Sequence, residues 1–262
     1  MIFREVLTAI GTLGLGALLC VMLIVSSETG YRLGRRRAAR MGESDPSVGF
    51  IVTGMLGLLA FVLGLTLSLA QQRFEDRRAV SLEEANAIGT AWLRAGLPEA
   101  PEAMVLRRAV EDWADLRLAF VRAPQDPPLL DRINAETNRQ QTEIWNQAVA
   151  LARPQPNALS SLMLASLNDM FDQATAQRRA FNARIPAEIL WMLLGMSVAA
   201  NGAVGFHLGL GGKRHLPLSL LLMAMWAACM VSIADVNAAR IGSVRPDDAP
   251  YVWTIQGFGR AP

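Results

Sequence analysis

The chain has 262 residues, 52% of them hydrophobic, with 25 basic and 23 acidic side chains. That apolar share is high for a water-soluble protein of this length, and near-balanced charge excludes the broad positive field that nucleic-acid binding requires. Two cysteines and two histidines leave little material for a disulfide framework or a metal cluster.

The charges are unevenly placed, and the gaps between them carry the information. Between Glu5 and Glu28 lie 22 uncharged residues, between Asp45 and Arg73 lie 27, between Glu188 and Lys213 lie 24, and between Arg214 and Asp235 lie 20. A hydrocarbon layer of about 30 Å needs roughly 20 helical residues at about 1.5 Å each. All four gaps meet that length. The expected fold is therefore an all-α integral membrane protein with four transmembrane helices, at about 6–27, 47–71, 187–210 and 215–235. A helical-bundle domain is expected between the second and third. The first run exceeds the roughly 7–15 residues of a signal-peptide core, and Val25-Ser26-Ser27-Glu28 offers no small-x-small cleavage site. It reads as a retained span. Cys20 and Cys229 fall inside spans, where a thiol behaves as a small apolar side chain. Gly11, Gly14, Gly16, Gly54, Gly57 and Gly64 also lie within spans, where close helix packing is the usual use of glycine and a pore-facing or hinge role is the alternative.

Short loops set orientation, because Lys and Arg are translocated with difficulty while long domains cross largely regardless of charge. The first loop carries Arg32, Arg35, Arg36, Arg37 and Arg40, and the loop between the third and fourth spans carries Lys213 and Arg214 beside His215. Both loops share one side of a four-span chain. Taken as the cytoplasmic side, it leaves both termini and the intervening domain extracytoplasmic, in a bacterial inner membrane.

From residue 72 to 185 the pattern is helical. Pro98 and Pro101, then Pro124 with Pro127 and Pro128, then Pro154 with Pro156 divide it into segments. No breaker separates the second span from the first segment, so one long helix over 48–96 is expected. The second segment shows an apolar stripe at Val105, Ala109, Trp113, Leu116 and Phe120. The last, opened by Asn157 as N-cap, shows one at Leu159, Met163, Leu167, Met170, Phe171, Ala174 and Phe181. Its 14 Arg and 15 Asp or Glu are intermixed, as on a solvated bundle surface rather than a nucleic-acid patch. Spans occupy 1–71 and 186–237, and 238–262 is expected as a short C-terminal tail.

Several strings resemble a known family. Gly57-Leu-Leu-Ala-Phe-Val-Leu-Gly64, Arg73-Phe-Glu-Asp-Arg-Arg78 and Glu84-Ala-Asn-Ala-Ile-Gly-Thr90 with Leu93-Arg94 are similar to the bacterial bestrophin-like membrane proteins grouped as domain of unknown function 4239. Asp115-Leu-Arg117, Ser166-Leu-Asn-Asp-Met-Phe-Asp172 and Asn182-Ala-Arg-Ile-Pro186 extend the likeness over about 48–243. The signature residues are Glu84, Asn86, Gly89, Thr90, Arg94, Asn168, Arg184, Asp235 and Gly242. The family closes its fourth span with an Asp-Leu-Asp-Arg-Pro-x-x-Gly-like string. Here it reads Asp235-Val-Asn-Ala-Ala-Arg-Ile-Gly242, with Asn237, Ala238 and Ala239 in place of acid, Arg and Pro.

The resemblance implies kinship with bestrophins, pentameric and mainly anion-conducting channels whose pore is lined by the second span. On that reading the chain forms a homo-oligomer around an ion path, with Phe61, Leu65 and Leu69 as an apolar constriction. Bestrophins keep both termini and most of the polypeptide in the cytoplasm, the reverse of the orientation that the seven short-loop charges give. The charges set our expectation.

Polar groups at membrane depth are costly unless paired or wetted. Asn201, in the third span, is a candidate pore-lining group or an interhelical hydrogen-bonder, while Glu188 and Asp235 stand at span ends. Glu83, Glu84, Asn86 and Thr90 are expected on the polar side of the signature helix. Ala85, Ala87 and Gly89 give that helix a thin profile, suited to close packing against a neighbour. No catalytic constellation, cofactor motif or metal spacing is present in the sequence, so the partners expected are the bilayer, other copies and an ion. The alternative is a non-conducting scaffold or sensor whose helical domain binds a partner.

Overall fold

The structure, a computed structural model, describes residues 2–41, 47–154, 156–212, 214–241 and 243–260. Among these residues the regular structure is all helix: α1 (Ile2–Met41), α2 (Ser47–Ala95), α3 (Pro101–Arg122), α4 (Pro127–Ala152), α5 (Ala158–Asn182), α6 (Ala187–Gly211), α7 (Leu216–Asn237) and α8 (Ala249–Gly257). Four stretches are long and apolar enough to cross a membrane, in α1, α2, α6 and α7. Two compact units result, one formed by 1–72 and 184–244, the other by 73–183 and 245–262.

In the first unit α1 and α6 lie side by side, with α7 against α1. Buried positions on α1 recur as Leu15, Leu19, Leu23, Ser27, Gly30 and Gly34, and on α6 as Leu193, Ser197, Asn201, Gly205 and Gly209. Both stripes taper from leucine to glycine in the same chain direction, so the two backbones close on each other at their C-terminal ends. A Cβ on Gly30 would overlap the Gly202 carbonyl oxygen, and one on Gly34 that of Phe206. A Cβ on Gly205 would overlap the Ser27 oxygen, and one on Gly209 that of Tyr31. Residue numbers rise together along both helices, so the pair is parallel, built on Gly30-x-x-x-Gly34 and Gly205-x-x-x-Gly209. This is small-residue packing, which brings membrane helices together where no hydrophobic driving force acts between them. The wider end is filled by leucines and by Ala227, Met230 and Ile233 of α7, while Met223 lies beside Ser27 and Gly205. Gly11 interrupts α1 with φ 68°, and Gly212 ends α6 with φ 67°, both left-handed conformations open to glycine.

The second unit packs the second half of α2 with α3, α4, α5 and α8. Alanines face inward from α2 (Ala85, Ala91, Ala95) with Ile88, against Leu106, Val110 and Trp113 of α3 and Met163, Leu167 and Met170 of α5. Trp113 meets Phe171 edge-on at 5.3 Å between ring centroids. Asn157 caps α5, its Oδ1 accepting from Ser160 N–H at 2.9 Å.

Three expectations are corrected here. The 238–262 stretch is not a bare tail. It carries α8, whose Tyr251 and Ile255 are buried in the second unit, because that unit's core is incomplete without them. The α3 stripe is rotated: Val105 is exposed and Ala109 and Leu116 are half-buried. The buried line runs through Ala103, Leu106, Val110, Trp113, Arg117 and Phe120. An amphipathic pattern avoids arginine, so a buried Arg117 hid the true face. Leu159 of α5 is likewise exposed.

Candidate functional site

The site begins on α2. Its buried positions in the first unit are Val52, Leu59, Leu63, Thr66 and Ala70, and these steps of seven, four, three and four fix one face inward. The opposite face carries Gly54, Gly57, Phe61, Gly64, Leu65, Ser68 and Leu69, all exposed. Steps of three and four place Gly54, Gly57, Phe61, Gly64 and Ser68 on one line. Among the described residues, a Cβ on any of these three glycines would meet no atom within 4 Å beyond its own stretch of helix backbone, while Phe61 is 64% exposed. Glycine costs about 1 kcal/mol against alanine inside a helix. A face turned to lipid gains nothing in return, whereas one turned to another surface or to an aqueous path can. Phe61, Leu65 and Leu69 therefore share an open apolar strip, followed by exposed Gln71 and Gln72.

Asn201 lies apart from that strip. It is 1% exposed inside the first unit. Its Nδ2 donates to the Ser197 carbonyl at 2.9 Å, and its Oδ1 meets no hydrogen-bond partner among the described residues. Glu188 is exposed in the first turn of α6. Asp235 is buried and accepts from Ser243 N–H at 2.9 Å and Ser243 Oγ at 2.5 Å, closing the turn after α7. Two residues on, Asn237 accepts from Ile185 N–H at 2.9 Å. The asparagine that departs from the family string thus anchors the segment leading into α6.

Of the other signature residues, Glu84 is fully buried at the centre of a polar network. Arg117 Nε donates to Glu84 Oε1 at 2.5 Å, and its Nη2 to Gln177 Oε1 at 2.5 Å. Tyr251 donates its hydroxyl proton to Glu84 Oε2 at 2.5 Å, and Gln177 Nε2 donates to the Tyr251 oxygen and, at 3.1 Å, to Ser81 Oγ. Each of these groups meets a complementary one, which is what permits burial. Burial and the adjoining Glu84 carboxylate push the Tyr251 phenol well above its ordinary range. Arg77, also fully buried, donates to the Ala180 and Ala183 carbonyls at 3.4 and 3.1 Å, closing the C-terminal end of α5.

Glu84 therefore does not stand with Asn86 and Thr90, which are exposed. Gly89 faces Thr254 of α8: a Cβ added at Gly89 would lie 3.7 Å from the Thr254 Cγ2. The neighbour of the thin helix is thus within the same chain. Arg94 donates to the Leu162 carbonyl at 3.3 Å, Asn168 to Asp172 at 3.2 Å, and Arg184 sits half-buried between α5 and α6. Gly242 lies outside the described residues. Sequence reasoning missed Gly30, Gly34, Gly205 and Gly209, although the Gly-x-x-x-Gly spacing was there to read. It also missed Gln177 and Tyr251, for which no local pattern exists.

No family model matches the chain, and no curated protein matches it. Solved structures do. A bacterial bestrophin homologue from Klebsiella pneumoniae superposes with a TM-score of 0.69 at 15% identity, covering 95% of this chain and 98% of that one. A mutant of that homologue gives 0.62 at 15% identity, covering 92% and 95%. The class is thereby defined: a multi-pass, all-helical membrane protein with a bestrophin-like fold. The narrower likeness to domain of unknown function 4239 rests on the motifs quoted above.

Proposed function

We propose that the chain assembles as a homo-oligomer around an ion path lined by the open face of α2, with Phe61, Leu65 and Leu69 as its apolar constriction. The observation that carries this reading is the line of three glycines and Phe61, open and without a packing partner among the described residues. The bestrophin-like fold supports it, since the resemblance to bestrophins implies an anion path along the second span. An apolar ring gates by dewetting, and its width is set by side-chain size. The reading contains no catalytic step. It is tested by ion flux through purified protein in liposomes under chloride and potassium gradients. Phe61→Ala is expected to raise chloride flux several-fold. Absence of flux for either ion, from protein shown to be folded and oligomeric, would overturn it.

Sidedness belongs to the same proposal. The arginines at 32, 35, 36, 37 and 40, with Lys213 and Arg214, favour a cytoplasmic location for both short loops in a bacterial inner membrane. Both termini and the 72–185 region are then extracytoplasmic. Reporter fusions at Ala103 and Ala38 decide it, and cytoplasmic behaviour at Ala103 reverses the assignment.

One observation favours the sensor alternative. The second unit holds an open cleft of about 740 Å³ where α2 ends and α3 begins, lined by Leu97, Val105, Leu151 and Leu159 with Glu99 and Glu102. Its size is that of small-molecule sites. A sealed assembly without flux, whose unfolding temperature rises with an added amphipathic cation, would favour this reading.

A further inference from the structure

The last turns of α1 carry a charge pattern that orientation alone does not require. Arg32, Arg35, Arg36, Arg37 and Arg40 are all exposed. Glu28 is the carboxylate beside them, and it is already engaged, at 2.8 Å by Arg32 and at 3.2 Å by Arg214. Arg214 is held in place over the Tyr31 ring at 4.2 Å. Among the described residues Arg35, Arg36, Arg37 and Arg40 meet no carboxylate. Four guanidinium groups thus share one short helical segment without a carboxylate partner among the described residues.

Their placement is specific. The exposed apolar ridge of α1 runs through Leu18, Val21 and Val25 and continues, at steps of three and four, into Glu28, Arg32, Arg36 and Arg40. Arg35 flanks this ridge on one side, and Leu33, also exposed, and Arg37 flank it on the other. At about 1.5 Å per residue, Arg32 stands about 6 Å beyond Glu28 and Arg36 about 12 Å. A headgroup layer adds roughly 5–7 Å to each side of the hydrocarbon. Side chains on an α-helix tilt toward its N-terminus, and α1 leaves the membrane at its C-terminal end, so these arginines lean back toward the bilayer. The segment is also rigid, because Gly34 packs directly on the Phe206 backbone.

We propose that this arginine cuff is a binding surface for anionic phospholipid of the surrounding bilayer. Guanidinium forks of Arg35, Arg36 and Arg37 take the phosphate, Arg40, about 18 Å beyond Glu28, adds longer-range positive charge, and Leu33 offers an apolar contact at headgroup depth. Arg suits the task because its planar fork pairs two phosphate oxygens at once and is weakly hydrated. Orientation by positive charge would be served equally by lysine.

The full chain, purified in mild detergent, is titrated with phosphatidylglycerol or phosphatidylcholine, and bound lipid is read by native mass spectrometry. Phosphatidylglycerol is expected to bind preferentially, with a contribution of up to about fivefold per arginine. The variant Arg36→Gln/Arg40→Gln, which keeps five of the seven short-loop cations and so its orientation signal, is expected to lose several-fold of that preference. The fourfold Arg→Gln variant at 35, 36, 37 and 40 is expected to lose it entirely. Equal binding of the two lipids by the unaltered chain, or an unchanged preference in the double variant, would overturn the proposal. So would displacement of the lipid by millimolar inorganic phosphate, which would identify a free-anion site instead.

Discussion

Arg117 is 1% exposed and Glu84 fully buried, yet the guanidinium also reaches Gln177 and lies 4.5 Å from the Phe120 ring centroid. Removing one member of such a pair leaves the other charge stranded, at a cost of about 3–5 kcal/mol, whereas replacing both by apolar groups of similar volume is close to neutral. Arg117→Met should therefore lower the unfolding midpoint sharply, and Glu84→Leu/Arg117→Met should recover much of the loss, both read by tryptophan fluorescence in detergent. Tyr251 adds a pH signature. Its phenol is held protonated above its ordinary range, so its contribution is complete below about pH 10, the unfolded value. It is lost as pH rises through the raised folded value. Circular dichroism between pH 8 and 12 should show an alkaline loss of structure, and Tyr251→Phe should lack the component due to this phenol. At this scale the sequence was readable only in part. Glu84 and Arg117 both stood in family-like strings, but nothing local joins residue 84 to residues 117, 177 and 251.

Helix α1 and helix α2 use glycine in opposite ways. On α1 the glycines at 30 and 34 are in backbone contact with α6, so any side chain there must push the helices apart. On α2 the glycines at 54, 57 and 64 face open space. Gly34→Leu is expected to cost about 1–3 kcal/mol or more through overpacking, seen as loss of monodisperse protein on size exclusion. Gly57→Leu is expected to leave the protomer's unfolding midpoint unchanged or slightly raised, through helix propensity, while altering the oligomer on native gels. An unchanged oligomer would count against assembly through this face. The same contrast shows what glycine spacing leaves open. Glycine inside an apolar span signals close approach, but the spacing does not say whether the approaching surface belongs to the same chain.

The whole molecule divides into two units that are each discontinuous in sequence. The second is completed from the far C-terminus: α8 brings Tyr251 to Glu84, Asp248 to Arg122 at 2.6 Å, and Phe258 onto Trp92 at 4.8 Å. Arg260 follows with ion pairs to Glu111 and Asp115 at 3.4 and 3.2 Å. Truncation after Val244 would remove all of these and open the seat of Tyr251. The truncated chain should still insert in membranes, because α1, α2, α6 and α7 are intact, while its 73–183 region becomes sensitive to limited proteolysis. Equal protease resistance of the two chains would show that α8 is dispensable.

The four spans, the long α2 helix and the proline-divided bundle were determined by the sequence itself. Uncharged run length and helix breakers are one-dimensional signals, and a bilayer or a backbone reads them locally. The inward face of α5 was nearly as plain, from Met163 to Phe181, because apolar spacing marks it. Which charges are buried, which glycines touch and what becomes of the last residues were decided by the tertiary structure alone. Arg117 is tolerated in a core only because Glu84, Gln177 and Tyr251, drawn from three other helices, surround it. That is a property of positions brought together by folding, and no window along the chain contains it.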